Sequence, residues 1–179
     1  RAVDMKGPLE WIETVHQLLK WKVRLDAVWL GDGPLLASVR SRMISLGLCD
    51  HVKFPGYISD REFTLSTIRS SDIFLYCHKT RESARVLGEA LACACPLVGY
   101  ASEYPADLVH EHGGAVFSEP GDWHELAQHI QRLDRDRDEL CDLIERAARS
   151  GRSFNRTKLL HERMRIVKRY VGSSTPWPP

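Results

Sequence analysis

Short apolar runs alternate with helical patterns along most of this chain, and this alternation constrains the fold more than any single motif. Between the runs, apolar side chains recur at the spacing of an amphipathic helix, and turns containing Gly or Pro join the elements. Strands that alternate with helices in this way are typical of a parallel sheet with helices on both faces. The sequence therefore predicts an α/β fold. Its predicted strands span residues 25–30, 51–54, 73–76, 97–100 and 115–117.

Local signals predict where several helices begin. Pro8 suits the first position of a helix, because its missing N–H needs no partner there. Ser59 and Glu62 have the spacing of a capping box, which predicts a helix with Ser59 as its N-cap. A further helix is predicted to begin near Ser83. From residue 122 onward the chain is predicted to be helical.

The composition of the 179 residues is that of an ordinary globular domain, with 43% apolar and 27% charged residues. A net charge of +1 gives no reason to expect nucleic acid as a partner. No apolar run approaches the ~20 residues of a membrane span, and we find no signal-peptide pattern, so a cytoplasmic protein is expected. The five cysteines are scattered, which favours packed thiols over a metal site.

Three loops that follow predicted strands carry glycine or charged residues. They are Gly31-Asp32-Gly33-Pro34, Phe54-Pro55-Gly56-Tyr57 and the segment 78–85. The carboxyl ends of parallel strands lie at one edge of a sheet, and ligands bind outside that edge. We therefore expect the three loops to meet there and to form a binding site.

The third loop leads from a strand directly into a helix. Backbone N–H groups at a helix N-terminus form an anion site, because the first amides have no partner within the helix. Glu82 lies just before this helix, and Glu89 lies inside it. Two carboxylates next to an anion site suit a ligand that has both phosphate groups and sugar hydroxyls.

Several motifs, taken in this order, resemble the C-terminal domain of retaining glycosyltransferases of the GT-B architecture, of the group 1 or family 4 type. They extend over nearly the whole chain. The matching segments are Arg1…Lys6-Gly7, residues 31–34, residues 52–56, the pair Glu82 and Glu89, residues 89–92 with 96–98, and residues 113–117.

The resemblance implies a Rossmann-like nucleotide-sugar-binding domain over residues 1–172. Residues 173–179 carry no pattern that would order them, so a disordered tail is expected there. The resemblance also implies that the N-terminal acceptor domain of the GT-B architecture is absent from this sequence. The chain begins at Arg1 and not at a methionine, so we expect it to be part of a longer, two-domain enzyme. The isolated domain is then expected to be inactive by itself.

The resemblance further implies an enzyme that transfers a hexose-type sugar from a UDP- or GDP-sugar. The expected acceptor is a polysaccharide, a lipopolysaccharide or a glycolipid of a bacterial cell, held by the missing domain. No metal ion or other cofactor is expected. The basic side of the last predicted helix is either a solvated face or a contact with an anionic membrane surface, which would place the enzyme at the inner membrane.

The same resemblance assigns roles to individual residues. Arg1 and Lys6 are similar to the basic pair that holds the donor diphosphate and stabilises the departing nucleotide. Glu82 resembles the glutamate that contacts hydroxyls of the donor sugar, and these three are the predicted catalytic residues. Glu89 resembles the glutamate that binds the ribose hydroxyls.

Further donor contacts are expected from the three loops. Backbone N–H groups at the start of the helix would bind the diphosphate, and the tyrosine would lie near the base. These additional contact residues are Gly31, Gly33, Gly56, Tyr57, Arg85, Val86 and Leu87.

The sequence departs from the family pattern in two places. One residue fewer separates Glu82 from Glu89 than the family usually has between its two glutamates, and the loop before the helix can absorb this deletion. The family's glycine and threonine before a proline are Ala94 and Cys95 here. This second change implies altered packing only.

Each candidate site residue also has a purely structural explanation. Glu82 could cap the helix, and Glu89 could pair with Arg85 on the helix surface. Lys6 could be a solvated lysine, and His78 could be polar surface or could touch the donor. Two other function classes remain as alternatives, a non-catalytic module that keeps the fold and a sugar-nucleotide epimerase of the same architecture.

Overall fold

Five parallel strands in two sheets form the framework of the protein. The computed structural model describes residues 1–154 and 156–171. Strands β1 (Ala27–Leu30) and β2 (Val52–Gly56) pair with each other, and β3 (Phe74–Tyr76), β4 (Leu97–Tyr100) and β5 (Ala115–Ser118) form a second sheet in that order. All of the described pairings are parallel. The predicted strands are confirmed within a few residues of their ends, but they form two sheets where one was expected.

Helices precede and follow the strands and cover the sheets. A short 3-10 helix at Asp4–Lys6 leads into the first of them. In chain order the helices are α1 (Pro8–Lys20), α2 (Leu36–Ser45), α3 (Arg61–Arg69), α4 (Arg85–Ala92), α5 (Glu103–Val109), α6 (Trp123–Arg135), α7 (Arg137–Arg152) and α8 (Arg156–Val171). The expected disordered tail over residues 173–179 lies outside the described residues.

The core has two parts, one on each face of the sheets. On one face, α1, α2 and α6 pack side chains such as Ile12, Val39 and Leu126 against the strands. On the other face, α3, α4 and α5 pack around a second cluster that includes Leu87 and Leu97. Side chains of a strand alternate between the two faces, so β3, β4 and β5 contribute to both clusters, whereas β1 and β2 contribute to the first. The predicted Rossmann-like α/β fold, with helices on both faces, is confirmed.

Two predicted helix starts differ from the observed ones. The N-cap of α3 is Asp60 and not Ser59, because the Asp60 carboxylate accepts hydrogen bonds from the N–H groups of Glu62 and Phe63. Both residue types suit an N-cap, and the extended backbone of Asp60 decides which one is used. Helix α4 begins at Arg85, slightly later than the predicted start near Ser83.

Helix α7 packs directly on the backbone of α4, the helix that carries Glu89. A Cβ atom added at Gly151 of α7 would lie 2.1 Å from the carbonyl oxygen of Leu91, which is far inside the van der Waals distance. Only a residue without a side chain therefore allows the two helices to approach so closely. This contact lies at the last turn of α4, at the opposite end of the helix from Arg85.

We predict that Gly151→Ala lowers the free energy of unfolding by about 2 kcal/mol, because the methyl group overpacks the α4–α7 contact. The matched control is Gly88→Ala, also within a helix, where an added Cβ meets no atom within 4 Å. That substitution should leave stability unchanged or raise it by up to about 1 kcal/mol, because alanine favours helix. Urea unfolding of both variants measures the difference, and equal stabilities would contradict the packing argument.

Candidate functional site

Residues 1–5 are fixed between two loops that are distant in sequence. The N–H of Ala2 donates to the Asp32 carbonyl at 2.9 Å, and the Ala2 carbonyl accepts from the N–H of Leu35 at 3.0 Å. Farther along, the Met5 carbonyl accepts from the N–H of Lys79 at 2.9 Å. The segment therefore bridges the loop after β1 and the loop after β3, at the carboxyl ends of these strands.

Gly33 in the loop after β1 allows this close approach, and Gly31 and Gly56 lie beside it. A Cβ atom at Gly33 would lie 2.6 Å from the Ala2 carbonyl oxygen, and one at Gly31 would lie 3.4 Å from the Arg1 backbone nitrogen. The Gly31 N–H also donates to the Gly56 carbonyl at 2.8 Å, which joins the loop after β1 to the end of β2. These three predicted glycines thus lie at the same edge as Arg1.

A lysine in the third loop holds the N-terminal segment in place. Lys79 Nζ lies 2.9 Å from a carboxylate oxygen of Asp4 and 2.6 Å from one of Glu10. The hydrogen bonds that Lys79 donates to Glu10 and, as the second cause, to Asp4 raise the pKa of Lys79. The two ion pairs tie the residues on both sides of Lys6 to the loop after β3, and they fix the position from which the Lys6 side chain extends.

The predicted catalytic residues Lys6 and Glu82 form an ion pair, although 76 positions separate them in sequence. His78 joins them, with its Nδ1 3.8 Å from the same Glu82 oxygen. The backbone nitrogen of Arg1 lies near Gly31 at the same edge of the sheet, and Arg1 is exposed. The structure thus brings Lys6 and Glu82 into contact, with the Arg1 backbone nearby.

His78 is uncharged at neutral pH. Burial lowers its pKa from the ordinary value of 6.5 to about 4, with the positive charge of Lys6 as the next cause. The ring contacts the ring of Tyr76 at the end of β3, at a centroid distance of 5.2 Å. A neutral imidazole can donate and accept hydrogen bonds with hydroxyl groups without adding charge. The sequence left two interpretations of His78, a polar surface residue or a contact of the donor. The low exposure of its side chain disagrees with the first of these.

Glu89 lies between two arginines. Its carboxylate oxygen is 3.1 Å from the guanidinium of Arg61 and 3.4 Å from that of Arg85, and only 18% of the Glu89 side chain is exposed. The pairing with Arg85 agrees with the structural alternative drawn from the sequence. Arg61 was not among the candidate residues, because only the packing of α3 beside α4 brings it to the site.

The start of α4 has the features of an anion site. Its N-cap, Ala84, has no side-chain oxygen to accept from the first amides of the helix. The Leu87 N–H donates to the Ala84 carbonyl at 3.0 Å. Of the three predicted amide donors, those of Arg85 and Val86 are therefore the ones left to interact with a ligand. Glu82 precedes this turn and Glu89 follows it.

Two other features complete the description of the site. Tyr57, next to Gly56, is highly exposed, with 75% of its surface accessible. Across residues 1–154 and 156–171, His, Cys, Asp and Glu side chains form no cluster of three that could hold a metal ion.

Within the same residues no helix has the length and apolar character needed to cross a membrane.

Solved structures with low sequence identity have the same fold. HepE of Anabaena, solved with UDP-glucose, is 22% identical with a TM-score of 0.79, and the match covers 97% of this chain and 47% of that protein. A glycosyltransferase from Rickettsia africae is 19% identical with a TM-score of 0.81 and the same two coverages. Sucrose-phosphate synthase from Thermosynechococcus elongatus is 20% identical with a TM-score of 0.77, and the match covers 97% of this chain and 44% of that protein.

The chain thus spans less than half the length of each of these three proteins. No curated protein sequence matches it at a significant level. The family model described as glycosyl transferases group 1 matches residues 1–150, a range that contains every residue of the site. The resemblance to the C-terminal domain of GT-B enzymes is confirmed. The chain belongs to the group 1 glycosyl transferases.

Proposed function

We propose that this chain is the donor-binding domain of a retaining glycosyltransferase. It binds a UDP- or GDP-sugar of the hexose type without a metal ion. The acceptor, a polysaccharide, lipopolysaccharide or glycolipid, is held by another part of the full enzyme. The observation that carries this proposal is the arrangement of Lys6, Glu82 and Glu89 around the first turn of α4.

The arrangement matches the parts of a nucleotide-sugar in order. The first turn of α4 offers two amides and the positive end of the helix dipole to a diphosphate. Glu82 lies on one side of this turn, where it can accept hydrogen bonds from hydroxyls of the sugar. Glu89 lies on the other side, where it can accept from hydroxyls of the ribose. One ligand with a diphosphate in its centre uses all three features.

The two cations of the site suit the chemistry of transfer. When the bond between sugar and phosphate breaks, negative charge grows on the departing nucleoside diphosphate. In this proposal Arg1 and Lys6 stabilise this charge, because fixed donors need no reorganisation during the reaction. Lys6 is paired with Glu82. Phosphate oxygens compete for Lys6 on binding, and this competition frees Glu82 to interact with the sugar.

The residues around this pair fit a sugar ligand. His78 is neutral, so it can bond to a hydroxyl without repelling Lys6. Arg61 holds Glu89 in place from a neighbouring helix. Tyr57 is exposed beside Gly56 and offers a ring for stacking on the base.

The choice of nucleotide is supported only by relatives. HepE of Anabaena was solved with UDP and with UDP-glucose, and a pneumococcal O-GlcNAc transferase, GtfA, was solved with UDP and GlcNAc. UDP is therefore the first nucleotide to test. We further propose a cytoplasmic enzyme in which α8, whose Met164 and Val167 are exposed, is the element nearest to an anionic membrane.

The proposal predicts that the isolated chain binds a nucleoside diphosphate. Isothermal titration with UDP, GDP and ADP should give saturable binding to one of them, and no sugar should be released from UDP-glucose, because the acceptor site lies outside this chain. The fold is monitored by circular dichroism in the same buffer. An intact fold that binds none of the three nucleotides would overturn the proposal.

The two glutamates should have separable effects. Glu89→Ala should weaken binding of UDP itself by about tenfold or more, because a charged acceptor for the ribose is lost. Glu82→Ala should weaken binding of UDP-glucose to a similar degree, whereas UDP binding should stay the same or tighten, because Glu82 no longer competes with the phosphates for Lys6. Glu111→Ala, an exposed glutamate paired only with its neighbouring histidines, is the charge-matched control. Equal losses for both ligands in both variants would show that the assignment is wrong.

Lys6 should act on the diphosphate alone. Lys6→Met is expected to lower UDP affinity by about tenfold, and this loss should shrink at high salt because charge attraction is screened. Binding of uridine, which has no phosphate, should not change. Lys20→Met is the control, because Lys20 is exposed at the far end of α1. A loss of uridine binding in Lys6→Met would mean that Lys6 supports the fold of the site and not the diphosphate.

A further inference from the structure

The imidazole of His78 rests on a rigid support inside the candidate site. Only 12% of the His78 side chain is exposed, and its ring meets the ring of Tyr76 at an interplanar angle of 61°. The Tyr76 ring packs on Gly99 of β4, where an added Cβ atom would lie 2.3 Å from a ring carbon. The Tyr76 hydroxyl also donates to the Tyr100 carbonyl at 3.1 Å. The end of β3 therefore sets the position of the imidazole.

The loop that contains His78 folds back on itself. The N–H of Glu82 donates to the Thr80 carbonyl at 2.9 Å, and the N–H of Ala84 donates to the Glu82 carbonyl at 3.0 Å. Next to His78, the N–H of Lys79 donates to the Met5 carbonyl of the N-terminal segment. These backbone bonds bring the side chains of residues 78 and 82 to the same place.

Two nitrogen atoms approach the same oxygen of Glu82. Lys6 Nζ forms its ion pair with Glu82 Oε1, and His78 Nδ1 lies 3.8 Å from that oxygen. A hydrogen bond between nitrogen and oxygen has a length of about 3 Å. The 3.8 Å distance is too long for such a bond, and a movement of about 1 Å would form it.

The neutral state of His78 makes it a suitable second partner for this carboxylate. Burial lowers its pKa to about 4, so at neutral pH the ring has a single N–H, which either nitrogen can carry. With the proton on Nδ1, the ring donates toward Glu82 without adding a charge. A second cation at this position would repel Lys6, whereas the neutral ring does not.

A diphosphate that takes over Lys6 leaves Glu82 in need of another partner. The Glu82 side chain is 31% exposed, so water replaces a lost cation only in part. A partly covered carboxylate without a donor is unfavourable. Because His78 Nδ1 already approaches the oxygen that Lys6 would leave, a small movement of the ring is enough to replace the lost contact.

We propose that His78 is a positioning residue that takes over Glu82 when a nucleoside diphosphate takes over Lys6. In the bound state the N–H at His78 Nδ1 donates to Glu82 Oε1 and keeps the carboxylate oriented toward the donor sugar. Glu82 thus exchanges a cationic partner for a neutral one, and its second oxygen can accept from a sugar hydroxyl. The inference rests on the proposed function, because it requires a diphosphate that binds to Lys6.

NMR of the ring nitrogens tests this exchange of partners in the native chain. The ¹⁵N chemical shift distinguishes a ring nitrogen that carries a proton from one that does not, and the spectrum of His78→Asn identifies the signals of His78. His110 is the internal reference for a proton on Nδ1, because this atom lies 2.9 Å from the Asp107 carbonyl, which can only accept.

Saturating UDP, or GDP or ADP if the native chain binds one of these instead, should place the His78 proton on Nδ1 in about 90% or more of the molecules. The reason is that a hydrogen bond to a charged acceptor favours this form by about tenfold. In Glu82→Ala the same nucleotide should leave the distribution of the proton unchanged.

Calorimetry of a double-mutant cycle gives a second test. His78→Leu should weaken binding of the same nucleotide by about tenfold in the native chain and should have no effect in Glu82→Ala, where the acceptor is missing. His78→Asn retains an amide N–H near the position of Nδ1, so its loss should not exceed about threefold. Circular dichroism checks the fold of each variant.

The outcomes separate this inference from the proposed function. A native chain that binds none of the three nucleotides would overturn the proposed function and this inference with it. Saturable binding without movement of the His78 proton to Nδ1 would overturn the inference alone. So would equal losses from His78→Leu with and without Glu82, because a role in packing does not depend on that carboxylate.

Discussion

The position of residues 1–7 depends on backbone hydrogen bonds to two loops that are far apart in the sequence. Ala2 binds to the loop after β1, and Met5 binds to the loop after β3. Backbone bonds of this kind do not vary with the side chains involved, so the path of the segment is set by the fold. Along this path Lys6 comes close enough to pair with Glu82. The pair forms because residues 1–7 cross the carboxyl ends of β1 and β3 at one edge of the fold.

Charge balance in the site follows from burial. Glu82 and Glu89 are each largely covered, and each lies against a cation that comes from a different element, Lys6 and Arg61. A largely covered carboxylate that lost its cation would destabilise the protein, because its charge would no longer be compensated. The pairs therefore hold both carboxylates in a defined orientation. A ligand that takes over one cation can in turn offer hydroxyl groups to the carboxylate that it leaves behind.

The sequence predicted the elements better than their assembly. Strand and helix positions follow from the local spacing of apolar residues and from Gly and Pro, and these signals act within a few residues. The meeting of the loops could be predicted because parallel topology alone requires it. The division of the strands into two sheets could not, because strand pairing is a long-range property, and the Arg61–Glu89 contact depends on how α3 packs beside α4. The roles of the site residues remain predictions.

Burial of His78 has a consequence for the behaviour of the protein in acid. The unfolded chain takes up a proton on this histidine near pH 6.5, whereas the folded chain does so only near pH 4. Between these values protons bind preferentially to the unfolded state, so stability falls as the pH falls. The same histidine stays uncharged in the folded protein over this range. Mild acid therefore depletes the folded population while the imidazole of each molecule that is still folded remains neutral.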